Sequence, residues 1–342
     1  MSGSTITMKD VATAAGVSPM TVSRALKADS PVSEETRKRI LKVVNDLRYV
    51  PDQMAGSLSS KRSGFVAVLV PSLNNLHFAE TVQSLTRELE KHNQQILLGY
   101  TDYSIDREER LVETMLRRRP EAMVLSYDGH SKRTIELLKG ANIPIVQIWE
   151  RPEAPIQHAI GFSNERAAFE MTHDLISKGY KKITFLGEPG ETWTRGAVRR
   201  RGFVAAMQKY GLESGRLVSV GKAPISIEDG ALALPILQEK YPDTDCVFCV
   251  SDLPAFGLLS ALKSNGYKVP DDIGVAGFGN FEVSRFSSPS ISTVEVNPVR
   301  IGTAAGELIG HLLEKPARSD GIVQVQVEVE VVNRFRASTR NP

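Results

Sequence analysis

The sequence has 342 residues, of which 41% are hydrophobic and 24% are charged. This is the composition of an ordinary folded chain, and its length suits a small domain followed by a larger one. No run of about 18 apolar residues occurs, which excludes a hydrophobic membrane-spanning helix. The first ten residues lack the apolar stretch of a signal peptide, so we expect a cytoplasmic protein.

Charge is distributed unevenly along the chain, although its net value is only +2. Residues 1–62 hold ten Lys or Arg and six Asp or Glu, a net charge of +4, which leaves the rest of the chain at −2. A basic segment attached to a nearly neutral body predicts a polyanionic partner for that segment. A merely solvated basic surface is the alternative.

The basic segment is predicted to form three short helices. Thr7 and Asp10 have the spacing of a capping box, and Gly16 ends the first helix. Ser18 is placed to cap the second helix, and Ser33 the third. Two helices that are joined by a tight glycine turn and supported by a third are the arrangement of a helix-turn-helix domain.

The second helix, in the stretch VSPMTVSRAL at residues 17–26, carries the candidate DNA contacts. Its apolar stripe is formed by Val22, Ala25 and Leu26, whereas its other face has small hydrogen-bonding side chains and a cation. In a helix-turn-helix domain this helix lies in the major groove, where such side chains contact base edges and phosphates. The predicted contact residues are Ser18, Pro19, Met20, Thr21, Ser23 and Arg24. An unrelated small helical bundle is the alternative.

A short linker follows at residues 52–63. Met54, Ala55 and Leu58 would share one face of a helix that is too short to be stable alone. Because an apolar side chain on such a linker has no core to join, Leu58 is a candidate for insertion between base pairs in the minor groove. A flexible tether with an incidental leucine is the alternative.

From Gly64 onward, apolar strands alternate with amphipathic helices. The first strands are GFVAVLVPS, QILLGYT, AMVLSY and IPIVQIW, and a second series begins near AIGFS at residue 159. Strands that are apolar throughout and alternate with helices predict parallel sheets covered on both faces. We therefore expect two doubly wound α/β lobes in tandem, with the last stretch of the chain crossing back between them.

Ligands of doubly wound folds bind beyond the carboxyl ends of the strands, so two such lobes that face each other form a cleft. Trp193, Arg195 and Arg199 lie in a segment that follows a predicted strand. An arginine side chain holds a carboxylate or a phosphate with two hydrogen bonds. Successive helical residues point about 100° apart, so Arg200 and Arg201 are expected to be solvated.

Sequence motifs of catalysis, cofactor binding and metal binding do not occur. The chain has no G-x-x-x-x-G-K-[ST], no G-x-G-x-x-G, no H-E-x-x-H and no G-x-S-x-G. Cys246 and Cys249 have Cys-x-x-Cys spacing, but they would lie on opposite faces of a buried strand and lack further metal ligands. We expect structural thiols, no metal, no cofactor and no enzymatic activity.

Residues 7–58, from TMKDVATAAGVSPMTVSRAL to DQMAGSL, resemble the DNA-binding headpiece of the lactose/galactose-repressor (LacI/GalR) family. The similarity includes the core D-V-A-x-x-A-G-V-S-x-x-T-V-S-R. The stretches IPIVQIW, RGFVAAM, VPDDIGVAGFGN and STVEVNP resemble counterparts in the body of that family, and VPSLNNLHFAE is most like the gluconate-repressor branch. The resemblance covers essentially the whole chain.

The resemblance implies an α/β protein in which an all-α helix-turn-helix headpiece precedes a two-lobed periplasmic-binding-protein-like domain. The expected bounds are 1–51 for the headpiece, 52–63 for a hinge helix and 64–342 for an effector-binding and dimerisation domain. Within the last domain, the first lobe is expected at about 64–161 plus 293–321, and the second at about 162–292 plus 322–342. The resemblance also implies a homodimer or tetramer that binds a pseudo-palindromic DNA operator at the nucleoid, with no membrane partner.

An effector pocket between the lobes is implied as well. Its positions fall on Ser72, His77, Phe78, Trp149, Ser163, Trp193, Arg195, Arg199, Ile225, Gly279 and Asn280. Trp149, Ser163 and Gly279 stand where family members commonly have aspartates, while the arginines remain. Fewer carboxylates beside two arginines favour an anionic ligand, because a carboxylate is repelled by buried carboxylates.

We therefore expect a transcriptional repressor that is controlled by a sugar acid such as gluconate or a ketogluconate. A sugar phosphate, a neutral sugar, a purine and a corepressor are the alternatives within the same fold. A periplasmic transport receptor and a sugar-acid enzyme are alternatives of other classes. The headpiece and the lack of a signal peptide oppose the first, and the lack of a catalytic set opposes the second.

Overall fold

The computed structural model describes residues 6–26, 31–50, 62–126, 129–189, 194–314 and 324–340. Contacts within the chain divide it into two compact units, Met1–Ser63 and Gly64–Pro342. Each unit has an apolar core of its own.

Three helices form the first unit: α1 (Met8–Ala15), α2 (Pro19–Ala25) and α3 (Glu34–Asp46). The caps that the sequence predicts are all present. The Thr7 N–H donates to Asp10 Oδ2 at 2.8 Å, Ser18 Oγ accepts from the N–H of Thr21, and Ser33 caps α3 in the same way. Gly16 ends α1 in the left-handed region, with φ of +63°. The prediction of three capped helices is confirmed.

The core of the first unit is small and comes from one face of each helix. Val11 and Ala12 of α1, Val22 and Ala25 of α2 and Ile40 of α3 are buried. The α2 positions are those that the apolar stripe predicts, so the opposite face of α2 remains at the surface.

The second unit contains two sheets, and its described strands divide equally between them. The first lobe holds β1 (Phe65–Val70), β2 (Gln95–Tyr100), β3 (Ala122–Ser126), β4 (Ile145–Glu150), β5 (His158–Phe162) and β11 (Gln326–Glu328). Its helices are α4 (Leu76–Glu90), α5 (Ile105–Leu116), α6 (Lys132–Gly140) and α12 (Pro298–Glu314). The strand order is β2–β1–β3–β4–β5–β11, and every neighbouring pair is parallel.

The second lobe repeats this winding. It holds β6 (Ile183–Gly187), β7 (Leu217–Ser219), β8 (Cys246–Cys249), β9 (Gly274–Gly279), β10 (Ser292–Glu295) and β12 (Val332–Arg334), in the order β7–β6–β8–β9–β10–β12. Its helices are α7 (Asn164–Ser177), α8 (Arg195–Lys209), α9 (Ile227–Lys240), α10 (Asp252–Ser264) and α11 (Glu282–Phe286). Only β12, among the strands described, runs antiparallel to its neighbour.

Both sheets reverse their winding direction beside their first strand, between β1 and β3 and between β6 and β8. Such a switch point leaves a crevice at the carboxyl ends of the strands. The predicted pair of doubly wound lobes is confirmed, and the two crevices bring the loops after the strands into one region.

The structure differs from the sequence prediction in how the last strands divide between the lobes. The pattern placed residues 293–321 in the first lobe, but Thr293 to Glu295 belong to β10, which pairs with β9 of the second lobe. It placed residues 322–342 in the second lobe, but β11 pairs with β5 of the first. The segment that was expected to begin the second series is β5, which likewise lies in the first sheet. Each sheet gains a further strand by lateral hydrogen bonding, which hydrophobic periodicity does not report.

None of the helices described is long and apolar enough to cross a lipid bilayer. Within the same residues, no three His, Cys, Asp or Glu side chains are arranged to hold a metal ion. Cys246 and Cys249 are buried and form no disulfide, and burial raises the pKa of both thiols.

Candidate functional site

The surface of α2 is the candidate DNA-binding face. Ser18, Pro19, Met20 and Arg24 are exposed, and Thr21 and Ser23 are partly exposed. The buried side of the same helix is fixed by Val22 and Ala25, so these six predicted contact residues lie on the side that faces away from the core. The other predicted DNA contacts, Met54, Ala55 and Leu58, lie outside the described residues.

Two arginines, four residues apart on α8, reach into the space between the lobes of the second unit. Arg195 Nη1 donates to Ser126 Oγ, at the end of β3 in the first lobe, at 2.9 Å. Its guanidinium carbon lies 4.7 Å from the centre of the Phe78 ring, also in the first lobe. The side chain of Arg195 therefore joins the two lobes.

Arg199 is held by its own lobe. Its Nε donates to Asn164 Oδ1 at 2.8 Å, and its Nη1 donates to the Val250 carbonyl at 2.7 Å. Its guanidinium carbon lies 3.7 Å from the centre of the Phe278 ring. Burial and the neighbouring charge of Arg195 lower the pKa of Arg199 to about 9, so it remains a cation at neutral pH.

Asn164 links Arg199 to the first lobe. Its amide oxygen accepts from Arg199, and its amide nitrogen donates to Glu150 Oε2, at the end of β4, at 2.7 Å. Burial raises the pKa of Glu150. Because the amide accepts on one side and donates on the other, it connects a cation to a carboxylate across the junction of the lobes.

His77, in the first turn of α4, makes a further contact between the lobes. Its Nε2 lies 2.8 Å from the Gly279 carbonyl oxygen at the end of β9, and its ring stacks on Phe281 at 3.9 Å between centroids. Burial lowers the pKa of His77 to about 4, so the ring is neutral at pH 7. Because a carbonyl only accepts, the proton of the neutral ring is assigned to Nε2.

Arg195, Arg199 and His77 line one cleft between the lobes. Seven predicted effector residues line it: His77, Phe78, Trp149, Arg195, Arg199, Ile225 and Gly279. A cleft between two lobes is a common place for a small-molecule site. Trp193 lies outside the described residues.

The structure places three of the predicted effector residues elsewhere. Ser72 Oγ accepts from the Asn74 N–H in the turn after β1. Ser163 caps α7 by accepting from the Arg166 N–H, and Asn280 Oδ1 accepts from Arg336. Each of these polar groups satisfies a nearby donor of its own lobe, and none lines the cleft.

Glu188 is the main residue that the sequence prediction missed. It follows β6 directly and lines the cleft, where its Oε1 accepts from Thr194 Oγ1 at 2.5 Å. Gly196 leaves room for the carboxylate, because a side chain there would overlap it. Its position at the carboxyl end of a strand was a usable signal. The described lining thus contains two arginines and one carboxylate, and is not free of negative charge.

Trp149 supplies a polar atom without a partner. Its side chain is 3% exposed and lines the cleft, and its Nε1–H donates to no described residue. A buried N–H without an acceptor costs free energy, so it is a ready donor to a ligand. The Trp149 backbone has φ of +75°, which is uncommon for a bulky residue.

Two known protein families match separate parts of the chain, one in each unit of the fold. Residues 7–52 match the family described as bacterial regulatory proteins, lacI family. Residues 172–338 match a periplasmic binding protein-like domain.

Full-length relatives agree with this division. The chain is 31% identical to the HTH-type transcriptional regulator IdnR of Escherichia coli over 308 residues, which covers 89% of this chain and 91% of the relative. It is 31% identical to the HTH-type transcriptional regulator GntR of Pseudomonas aeruginosa, with 92% of each chain covered. The crystal structure of a LacI family transcriptional regulator from Silicibacter pomeroyi is 57% identical, with a TM-score of 0.77, and covers 81% of this chain and 100% of its own.

These relatives are transcriptional regulators and not enzymes, as the sequence predicts. Members of the family bind DNA operators and small-molecule effectors, typically as dimers. With its helix-turn-helix unit, its two-lobed domain and relatives that match nearly its whole length, this chain belongs to the LacI family of bacterial transcriptional regulators.

Proposed function

We propose that this LacI-family regulator is a repressor whose affinity for operator DNA is set by a sugar acid, of the gluconate or ketogluconate type, bound in the cleft. The observation that carries the proposal is the pairing of Arg195 and Arg199 on one wall of a cleft that also contains Glu188. Two cations beside one carboxylate match a ligand that has both a carboxylate and hydroxyl groups.

Each part of such a ligand has a counterpart in the lining. Its carboxylate is attracted by the two guanidinium groups, and the unpaired indole N–H of Trp149 donates to an oxygen atom. Its hydroxyl groups donate to Glu188, which only accepts when ionised. A neutral sugar would bring no negative charge to the two buried arginines. The similarity of VPSLNNLHFAE to the gluconate-repressor branch favours the same ligand class.

DNA binding is proposed for the exposed face of α2, from Ser18 to Arg24. In this proposal Thr21 and Ser23, which are partly exposed, contact base edges, and the exposed Arg24 contacts a guanine or a phosphate. Leu58, with Met54 and Ala55, is proposed for the minor groove on the ground of the family resemblance alone. The regulator acts in this proposal at the nucleoid, in the cytoplasm.

A homodimer is the assembly that this proposal requires, because two headpieces are needed for the two halves of a pseudo-palindromic operator. Exposed apolar side chains offer candidate dimer surfaces on both lobes. Leu73 and Leu76 lie on the first lobe, and Leu232 and Phe286 on the second, where Phe286 is 78% exposed.

Regulation follows from the contacts between the lobes, which include those of Arg195, Asn164 and His77. A ligand that binds both walls of the cleft favours one arrangement of the lobes over another. It changes operator affinity only by as much as its affinities for the two arrangements differ. Induction and corepression differ in the sign of this effect.

Thermal unfolding of the purified chain tests the ligand class. The panel is gluconate, 2-ketogluconate, 6-phosphogluconate, glucose, ribose and hypoxanthine. A ligand at 100 times its dissociation constant stabilises the protein by about 2.7 kcal/mol, which is easily measured. A shift with the acids alone supports the proposal. A larger shift with glucose, ribose or hypoxanthine overturns the sugar-acid assignment and leaves the family membership intact.

Operator binding tests the other half of the proposal. An operator is selected from random-sequence DNA duplexes, and its affinity is measured by fluorescence anisotropy with and without the ligand that stabilises the protein. Ligand that weakens binding identifies an inducer, and ligand that strengthens it identifies a corepressor. An affinity that does not respond to ligand contradicts the regulatory proposal.

A further inference from the structure

Asp252 is a buried carboxylate that lies behind the cleft and does not line it. It is the first residue of α10 and has no exposed surface. Its Oδ2 accepts from the Phe281 N–H at 2.7 Å, and its Oδ1 accepts from Thr293 Oγ1 at 2.6 Å. Burial raises the pKa of Asp252 to about 6. A carboxylate in such a place is costly, and these hydrogen bonds offset the cost.

The residue that Asp252 holds forms part of the contact between the lobes. Phe281 stacks on His77 of the first lobe, and Gly279, two residues earlier, accepts the hydrogen bond from His77. Gly279 has φ of +126°, a conformation that L side chains rarely adopt, so the backbone turns sharply here. Residues 279–281 therefore reach the other lobe from a sharp turn, and their position depends on what holds that turn.

Several hydrogen bonds hold this turn, including one from the Asn280 N–H to Thr293 Oγ1. Asp252 binds the Phe281 N–H, and Arg336 donates to the Asn280 side-chain oxygen at 2.5 Å. Arg336 also donates to Ser284 Oγ and to the Ile291 carbonyl, so it is anchored independently. The Phe281 carbonyl accepts from the N–H and the Oγ of Ser284. Asp252 is the acceptor for the N–H of this residue, whose ring meets His77.

We propose that Asp252 is a positioning residue for the effector cleft, because its carboxylate fixes the Phe281 backbone and so holds the His77–Phe281 contact between the lobes. The inference deepens the proposed function, since it rests on this cleft being the effector site. Asp252 acts through Phe281 and does not itself touch the ligand space. Loss of its hydrogen bond releases residues 279–281 and opens one wall of the cleft.

The protonation state of His77 is the readout, because it requires no ligand. Histidines are labelled with ¹³C and ¹⁵N, and the signals are assigned with His77→Gln. In the wild type, His77 remains neutral down to about pH 4 with its proton on Nε2. In Asp252→Ala we expect its pKa to rise towards 6.5, because the ring gains solvent. Loss of the Gly279 carbonyl acts in the opposite direction, but burial is the larger cause of the low pKa. An unchanged His77 pKa in folded Asp252→Ala overturns the proposal.

Two matched variants distinguish a specific effect of Asp252 on Phe281 from a general loss of packing in the second lobe. Asp252→Asn retains an oxygen that can accept from the Phe281 N–H, so its His77 pKa should remain low. Ser338→Ala removes a buried hydroxyl of the same lobe that accepts from the Ser292 N–H and donates to the Val275 carbonyl near the other end of β9. Its His77 pKa should also remain low. If the pKa of His77 rises as much in Ser338→Ala as in Asp252→Ala, a specific role of Asp252 is contradicted.

A measurement on the wild type keeps the proposal testable if Asp252→Ala does not fold. With ¹⁵N-phenylalanine, the Phe281 amide signal should titrate with a midpoint near pH 6 and lose this step in Asp252→Asn. The other groups that face Asp252 are the Arg336 guanidinium, the Cys249 thiol and the Ser284 hydroxyl, and Arg285 and Glu295 lie beside Arg336. The Arg336 guanidinium remains charged and the Cys249 thiol remains neutral in this range, and His77 titrates lower. A Phe281 amide that does not titrate overturns the hydrogen bond on which the proposal rests.

Effector affinity completes the test once the thermal panel has identified a ligand. Asp252→Ala should bind this ligand about tenfold more weakly than the wild type, which corresponds to ~1.4 kcal/mol of binding free energy. Asp252→Asn should bind it with nearly the affinity of the wild type. If no sugar acid binds, the His77 and Phe281 measurements still decide the role of Asp252, so the two proposals fail separately.

Discussion

Arg195 of the second lobe donates a 2.9 Å hydrogen bond to Ser126 of the first lobe, and the same arginine lines the effector cleft. One side chain therefore takes part both in the contact between the lobes and in the candidate ligand site. A ligand that engages Arg195 changes a residue on which the arrangement of the lobes depends. This relationship gives the cleft a physical connection to lobe closure.

Removal of the Ser126 hydroxyl should weaken effector binding without a direct loss of ligand contact. Ser126 does not line the cleft, and a hydrogen bond from a charged donor contributes about 1.5 kcal/mol or more. We expect Ser126→Ala to reduce effector affinity about tenfold in isothermal titration calorimetry.

Ser131→Ala is the control for Ser126→Ala. It removes the hydroxyl that caps α6 in the same lobe and that bonds to Thr134 and Glu109, whereas Arg195 donates to Ser126. It should lower the melting temperature and leave effector affinity unchanged. Equal effector affinities of Ser126→Ala and the wild type would show that the bond between the lobes does not support the site.

Arg199 is predicted to be essential for the response to ligand. Arg199→Ala removes a cation that Asn164 and Val250 hold in the cleft, so ligand should no longer shift the melting temperature or operator affinity. Affinity for the operator without ligand should remain as in the wild type, because the headpiece is unchanged.

Arg201→Ala provides the matched comparison on the same helix. Arg201 is exposed and pairs with Glu165, and a surface ion pair contributes little. This variant should respond to ligand as the wild type does. A normal response in Arg199→Ala, at wild-type ligand concentrations, contradicts the arginine assignment.

Two buried groups should give opposite dependences of stability on pH. The folded-state pKa of His77 is lowered to about 4, so its contribution to stability is lost as pH falls from 6.5 to 4. The folded-state pKa of Asp252 is raised to about 6, so its contribution is lost as pH rises from about 4 to 6. Each pKa shift corresponds to a change of about 3 kcal/mol in the free energy of unfolding. In the wild type these two changes have opposite signs and largely cancel.

Urea unfolding at a series of pH values checks this prediction. Relative to the wild type, the free energy of unfolding of His77→Gln should increase by up to about 3 kcal/mol as pH falls from 6.5 to 4. That of Asp252→Asn should increase by a similar amount as pH rises from about 4 to 6. If the free energies of unfolding of both variants, relative to the wild type, changed in the same direction with pH, the assigned pKa shifts would be refuted.

The DNA-binding assignment predicts a specific effect of Arg24. Because its side chain is exposed, Arg24→Ala should leave the fold stable and weaken operator binding by about 1–3 kcal/mol if it contacts a base. Binding to unrelated DNA should change much less. Arg39→Ala, an exposed arginine on α3, serves as the control and should have little effect on the operator. Equal losses on operator and unrelated DNA would identify Arg24 as a phosphate contact instead.

The sequence by itself determined the local structure and the broad class of this protein. The caps at Thr7, Ser18 and Ser33 act over three residues, so their spacing alone predicts where the helices begin. The alternation of strands and helices predicts two parallel lobes, because a buried parallel strand must be apolar on both faces. Arg195 and Arg199 are four residues apart, and helical geometry alone places them on one side of α8.

Only the tertiary structure decided which lobe each late strand joins and which polar groups meet in the cleft. His77 and Gly279 are 202 residues apart in sequence, and Asp252 and Phe281 lie on different elements, so no local pattern connects them. Glu188 was visible at the end of a strand, but its place beside two arginines depends on how α8 packs. Such contacts arise from the packing of whole elements, whereas hydrophobic periodicity records only which side of each element is buried.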